Sequence, residues 1–247
     1  MRCLVTVTFL AACGGPPSQF PVKPLPELAS AAQPTMPLAV PALQLVPGES
    51  LIWNVHWKGI TVGRAELAVT EREVRSRFTT DTLVSTVVSI QYELETVLDR
   101  TAGRAASSTE KLVIDGEIKA AAATFDGASY AIDGRSFAVP GGNPGHTLHS
   151  ALGALRGWAG PDARPGFLFI VHAGQLYRVD VTRPVADEVA GTNTLRVECR
   201  VHPANDKLAP FAVTTWLTAD PLRTPIRIEI TNAEAKVTAE LLDTTAS

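Results

Sequence analysis

At 247 residues, with 45% hydrophobic and 19% charged residues and a formal charge of −3, the chain has the size and composition of one large folded domain or two small ones. That composition is ordinary for a globular protein, and the length is ample for a core. Its basic residues are not clustered, so it lacks the electrostatic footprint of a nucleic-acid binder, and no nucleic-acid partner is expected.

The start of the chain carries a targeting pattern. Met1-Arg2 precedes a short apolar run (Leu4, Val5, Val7, Phe9, Leu10), and Leu10-Ala11-Ala12 leads into Cys13-Gly14-Gly15. A transmembrane helix needs about 20 apolar residues, far more than this run supplies. Pro16 and Pro17 prevent a helix from continuing. The layout resembles a bacterial lipoprotein signal. That resemblance implies that residues 1–12 are a signal peptide and that Cys13 becomes the lipidated first residue of the mature chain. Two or three acyl chains such as palmitate, at about 0.8 kcal/mol per buried methylene, make a lasting membrane anchor. Gly14 after the cysteine, in the same resemblance, points to the outer membrane of the cell envelope, facing the periplasm.

Residues 14–47 hold Pro16, Pro17, Pro21, Pro24, Pro26, Pro34, Pro37, Pro41 and Pro47, among few charges. Such a segment favours extended polyproline conformations. At about 3.1 Å per residue it reaches on the order of 100 Å, enough to hold a domain away from the bilayer. Its scattered apolar residues alternatively strap it onto the domain. The expected organisation is therefore signal peptide 1–12, lipidated cysteine and proline-rich tether 13–47, and a β-rich periplasmic domain 48–247.

From Gly48 the pattern becomes that of strands. Leu51, Trp53, Val55 and Trp57 alternate with more polar neighbours, and further runs cover 61–69, 77–87, 91–99, 106–114, 117–125 and 128–132. Asp115-Gly116, Asp126-Gly127 and Asp133-Gly134 punctuate them as two-residue hairpin turns, which makes neighbouring strands antiparallel. Residues 146–157 break the pattern. Leu148, Leu152 and Leu155 mark one face of a short helix closed by Gly157. Strands resume over 167–173, 176–182, 194–202, 210–218, 224–231 and 235–243. Cys199 shares the apolar face of its strand with Leu195, Val197 and Val201, as a core thiol would. With Cys3 removed and Cys13 acylated, it has no partner for an intramolecular disulfide. The fold class is mainly β: a strongly curved antiparallel sheet or partly open barrel of about a dozen strands with one short helix.

Several separated blocks then appear in a recognisable order: Gly48-Glu49-Ser50-Leu51, Trp57-Lys58-Gly59-Ile60, Val62-Gly63-Arg64-Ala65, the helix from His146 to Arg156, Pro165-Gly166-Phe167, Gly174-Gln175-Leu176-Tyr177, Thr215-Trp216-Leu217, and Thr224-Pro225-Ile226. Together they resemble the bacterial envelope family called domain of unknown function 3108, over roughly residues 46–243. The resemblance implies an exported β-rich domain and carries over no catalytic residue. The alanine-rich stretch from Thr101 to Thr124 departs from it.

Chemistry-bearing motifs are sparse. His146 and His149, three apart, are weak candidates for zinc. Two ligands do not complete a site, and no HExxH or cysteine pair supplies the rest, so no metal or cofactor is expected. Gly141–Gly145 lacks the Lys-Ser/Thr of a phosphate loop and reads as a flexible connection. No Gly-x-Ser-x-Gly elbow supports a hydrolase. An enzyme would gain ground only if His146, His149 or His172 converged on a carboxylate in a cleft. Trp53, Trp57, Trp158 and Trp216 are core residues by default and candidate lining for an apolar ligand. The leading functional expectation is a non-enzymatic lipoprotein binding an apolar ligand or lipid in the concave face of its sheet. The alternative is an envelope scaffold that engages a protein partner through a sheet edge.

Overall fold

The computed structural model describes residues 33–204, 208–233 and 235–245. The expected signal segment, Cys13 and the first part of the expected tether lie outside these residues. Period-2 alternation becomes a long meander: β1 (Ser50–Trp57), β2 (Ile60–Val69), β3 (Glu73–Thr80), β4 (Ile90–Asp99), β5 (Arg104–Ile114), β6 (Glu117–Asp126), β7 (Ser129–Ile132) and β8 (Arg135–Ala138). A two-residue strand, β9 (Gly145–His146), leads into the helix α2 (Leu148–Trp158). The second run is β10 (Gly166–His172), β11 (Gln175–Val181), β12 (Val185–Val189), β13 (Thr192–Pro203), β14 (Phe211–Thr218), β15 (Pro225–Thr231) and β16 (Lys236–Thr245).

The strands form one sheet in the order β8-β7-β6-β5-β4-β3-β2-β1-β16-β15-β14-β13-β11-β10-β9, with β12 paired to β13. The first and last long strands lie side by side, so the two meanders become one surface. Among the described residues the named strands pair antiparallel except β9 against β10, which is parallel, as is an isolated bridge between Pro37 and Phe167. The fold is thus mainly β, curved and not closed, with sixteen strands among the described residues where the sequence suggests about a dozen. The additions, β8, β9 and β12, are five residues or fewer, too short for periodicity to reveal.

Three local readings change. The run 77–87 is strand only to Thr80; Asp81 then caps the single turn α1 (Thr82–Ser85) by accepting from the Leu83 amide. Asp115-Gly116 and Asp133-Gly134 have positive φ at both residues and make type I′ turns. At the third pair only Gly127 has positive φ; Asp126 stays in β6 and the loop is Gly127-Ala128. The helix starts at Leu148, after a capping box in which Thr147 and Ser150 bond each other's backbone N–H, and runs to Trp158 rather than closing at Gly157.

Its leucines do not form the main buried face. Leu148 is exposed, whereas His149, Ser150, Ala151, Ala154, Arg156 and Trp158 are buried. Small side chains let α2 enter the concave side of the sheet. One side of the helix packs on Val179, Val181, Val197 and Leu217. On the other, His149 bonds Ser76 of β3 and Thr96 of β4, at 2.9 and 3.0 Å.

Residues 34–45 close over the helix. Leu38 donates to the Phe167 carbonyl at 2.7 Å, Gln44 to that of Gly153 at 2.9 Å, and Leu38 and Leu45 are buried. Glycines make this strap fit: a Cβ on Gly157 would collide with the Ala42 carbonyl, and one on Gly153 would lie 2.8 Å from Leu45 Cγ. The strap is pinned further by Arg178, which donates to the Pro34 carbonyl at 2.6 Å.

Candidate functional site

The four tryptophans do not converge. Trp53 is buried in the core around β1 and β2, its indole N–H donating to the Pro225 carbonyl at 2.9 Å. Trp57 lies at the end of the same face with Lys58 over its ring. Trp158 belongs to the separate core around α2, β10 and β13, and donates to the Arg164 carbonyl at 3.1 Å. Trp216 alternates with buried Leu217 and so occupies the opposite face, held by Asp187 at 3.0 Å and by the Arg227 guanidinium 5.1 Å from its ring. A shared groove lined by all four is therefore not present: the period-2 alternation that puts Trp53 inside puts Trp216 outside.

The two histidines expected on the helix fall in different elements. His146 belongs to β9, with Nδ1 3.3 Å from Ser150 Oγ, and His149 has both ring nitrogens engaged by Thr96 and Ser76. Burial pushes both imidazoles down to about 4. Among the described residues no three His, Cys, Asp or Glu side chains gather as metal ligands would. Cys199 is a buried free thiol, pushed up to about 12 by its burial.

Sequence reasoning missed two buried polar centres, because each joins residues far apart in the chain. Arg156 grips Glu49 through two hydrogen bonds of 2.7 and 2.8 Å and also donates to the Leu222 carbonyl. It ties the end of α2 to the entry of β1. The second centre lies where the curled sheet comes back on itself. His172, at the end of β10, places Nδ1 2.7 Å from Glu110 Oε2 on β5; Tyr92 of β4 donates to the same carboxylate at 3.0 Å and the Ala173 amide at 3.1 Å. Burial pushes the Glu110 carboxyl up, but the His172 hydrogen bond and charge, the Ala173 N–H and the Tyr92 hydroxyl outweigh it and hold the group below its ordinary value. Beside it an apolar seam joins Phe125 and Tyr130 to Phe167, Phe169 and Val171. Side chains, more than ladder hydrogen bonds, close the curve. His172 thus meets a carboxylate at a recess, but the recess holds only about 60 Å³ and, among the described residues, no serine or cysteine lines it.

The remaining feature is an edge. β6 pairs with β5 along Glu117–Thr124, but β7 covers it only from Ala123 onward. Among the described residues, Glu117–Ala121 therefore has a ladder on one side alone. The two-residue turn at Asp115-Gly116 makes Ile114 and Glu117 a hydrogen-bonded pair, so alternate residues Lys119 and Ala121 also face β5. The backbone N–H and C=O of Ile118 and Ala120 consequently point off the sheet. Both residues are exposed.

This edge stands between two recesses. On the inner side, Lys119 and Ala121 border the small one beside Tyr92, Glu110 and His172. On the outer side, Ile118, Ala120 and Ala122 wall a trough of about 1030 Å³ that crosses β1–β6 on the face opposite α2. Its floor carries a cross-strand row of alternating charge, Glu66, Arg77, Glu93 and Lys111, ending at Ala120.

The sequence matches no protein-family model and no curated protein. Among solved structures, the chain is similar to a β-barrel-like protein of domain of unknown function DUF1849 from Brucella abortus, with 12% identity and a TM-score of 0.59, covering 83% of this chain and 99% of that one. A DUF1089 family protein from Pseudomonas aeruginosa is matched at 11% identity and a TM-score of 0.42, over 69% of this chain and 90% of that one. The first likeness establishes a shared β-barrel-like fold; both neighbours are domains of unknown function.

Proposed function

We propose that this chain is a lipid-anchored envelope module without enzymatic activity, which binds an extended segment of a partner protein as an added strand on the open edge of β6. The observation that carries this reading is the placement of the Glu117–Ala121 edge between a recess on each face. In strand addition the main chain supplies hydrogen bonds while alternate side chains enter pockets on the two faces. The reading of an apolar ligand or lipid in the concave face has less support, because α2 and the strap already occupy that face. An enzyme is favoured only by the His172–Glu110 pair, whose bonds to Tyr92 and Ala173 suit a fastening better than a reaction centre.

The Leu10–Cys13 pattern supports the anchor. Residues 34–45 are strapped onto the domain and so add nothing to the reach of the anchor. A Cys13→Ala variant is expected in the soluble periplasmic fraction; its retention in membranes would contradict the anchor. Strand addition is tested by selecting displayed random peptides on the folded domain. The expected winners are extended sequences whose binding disappears in Ala120→Pro, a change that removes an outward N–H and leaves the β5 ladder intact. Winners that bind this variant equally well would overturn the reading.

A further inference from the structure

Charge along the trough shows what kind of strand fits. In the row that crosses the outer face, Glu66, Arg77, Glu93 and Lys111 alternate in sign from β2 to β5. The acidic members have partners: Glu66 pairs with Arg64 at 3.2 Å and Glu93 with Arg77 at 3.8 Å. One row along, Arg75 pairs with Glu95 at 3.1 Å. Lys111 is exposed and makes no ion pair among the described residues. Its neighbour in the row is Ala120, whose methyl group leaves the way open from Lys111 to the sheet edge. The other charge lining this end is Asp133, in the β7–β8 turn, which stands where β7 stops beside Ala122.

From this pattern we infer that the partner strand carries one acidic side chain on its outer face opposite Ala120, reaching over the alanine to Lys111. The inference rests on the strand-addition reading and deepens it by naming the chemistry of the occupant. Alternation of sign continues across the new strand: cation at Lys111, gap at Ala120, anion on the partner. Asp133 repels a second acid at the closed end of the edge, so the preference is for one acidic position and not for a polyacidic segment. On the inner face the recess of about 60 Å³ admits only small side chains. The partner is therefore a polypeptide with small residues inward and an acid outward, in alternation.

The test uses fluorescein-labelled peptides of alternating threonine and alanine with glutamate, glutamine or lysine at the central outward position. Binding is followed by anisotropy to the folded chain lacking its signal. The glutamate peptide is expected to bind about fivefold more tightly than the glutamine peptide, and the lysine peptide more weakly than either. Lys111→Glu should reverse the order and Lys111→Gln should abolish it. Ala120→Pro should remove binding of all three, with circular dichroism confirming that each variant is folded. Equal binding of the three peptides, still lost in Ala120→Pro, would overturn the acidic preference and leave strand addition standing. Binding that survives Ala120→Pro, or no binding by any peptide, would overturn both.

Discussion

Among the described residues Arg156 is the largest side chain fully withdrawn from solvent, and its charge is met by Glu49 in a two-point grip. Removing one partner of such a pair leaves the other charge buried and costs about 3–5 kcal/mol. Arg156→Met should therefore lower stability by that amount in urea unfolding, and the double variant with Glu49→Leu should recover most of it. A single variant as stable as the parent would show that the pair is not buried. His146 and His149 give the fold a pH signature of definite sign. Their native pKa is pushed down to about 4 from 6.5, so between those values the unfolded chain binds protons that the native one refuses. Stability should fall as pH drops from 6.5 toward 4, by about 3 kcal/mol for each histidine. Glu110 behaves in the same direction lower down: its contribution is intact above its ordinary value of 4.5 and is lost as pH falls through the lower native value. His149→Gln should remove about half of the histidine effect between pH 7 and 5; an unchanged pH profile would place the titration elsewhere.

Among the elements, α2 shows why a helix can replace a ligand inside a curved sheet. Gly153 and Gly157 admit the strap on one side while Ala151 and Ala154 admit the sheet on the other. Gly157→Ala should push the strap off the helix at a cost of about 1–3 kcal/mol, and limited proteolysis should then cut within residues 34–47; a strap that stays resistant would contradict this packing. The strands were legible in the sequence because one face of each is buried, so Leu51-Trp53-Val55 or Val197-Cys199-Val201 alternates cleanly. The helix was legible in position and not in face, since its buried surface is built from Ala, Gly, Ser and one Arg instead of leucine. The edge of β6 was hidden for a different reason. Whether Ile118 and Ala120 have a second neighbour depends on where the Gly127-Ala128 loop turns and how soon β7 ends at Ile132, which no residue pattern within β6 records. Even the alanine run, which departs from the family resemblance, gives no sign from sequence alone that its methyl groups form the wall of a trough.

At the scale of the molecule, the chain lays an open sheet from β8 round to β9 and holds its curl with the Glu110–His172–Tyr92 contact and the Phe125–Phe169 seam. Closure by side chains leaves Glu117–Ala121 of β6 without a second ladder among the described residues, an edge that full barrel closure would abolish. The same geometry accounts for the β-barrel-like likeness at 12% identity: the curl is set by alternation and turns, which many sequences satisfy. The central claim is that Ile118 and Ala120 hold backbone groups in reserve for a partner strand. Amide hydrogen exchange by NMR tests it most directly. In the free protein the amides of Ile118 and Ala120 should exchange fast while those of Lys119 and Ala121, bonded to β5, are protected. A peptide selected on the domain should slow exchange at Ile118 and Ala120 specifically. Protection that is already present in the free chain, or that appears around α2 and not at this edge, would contradict the account.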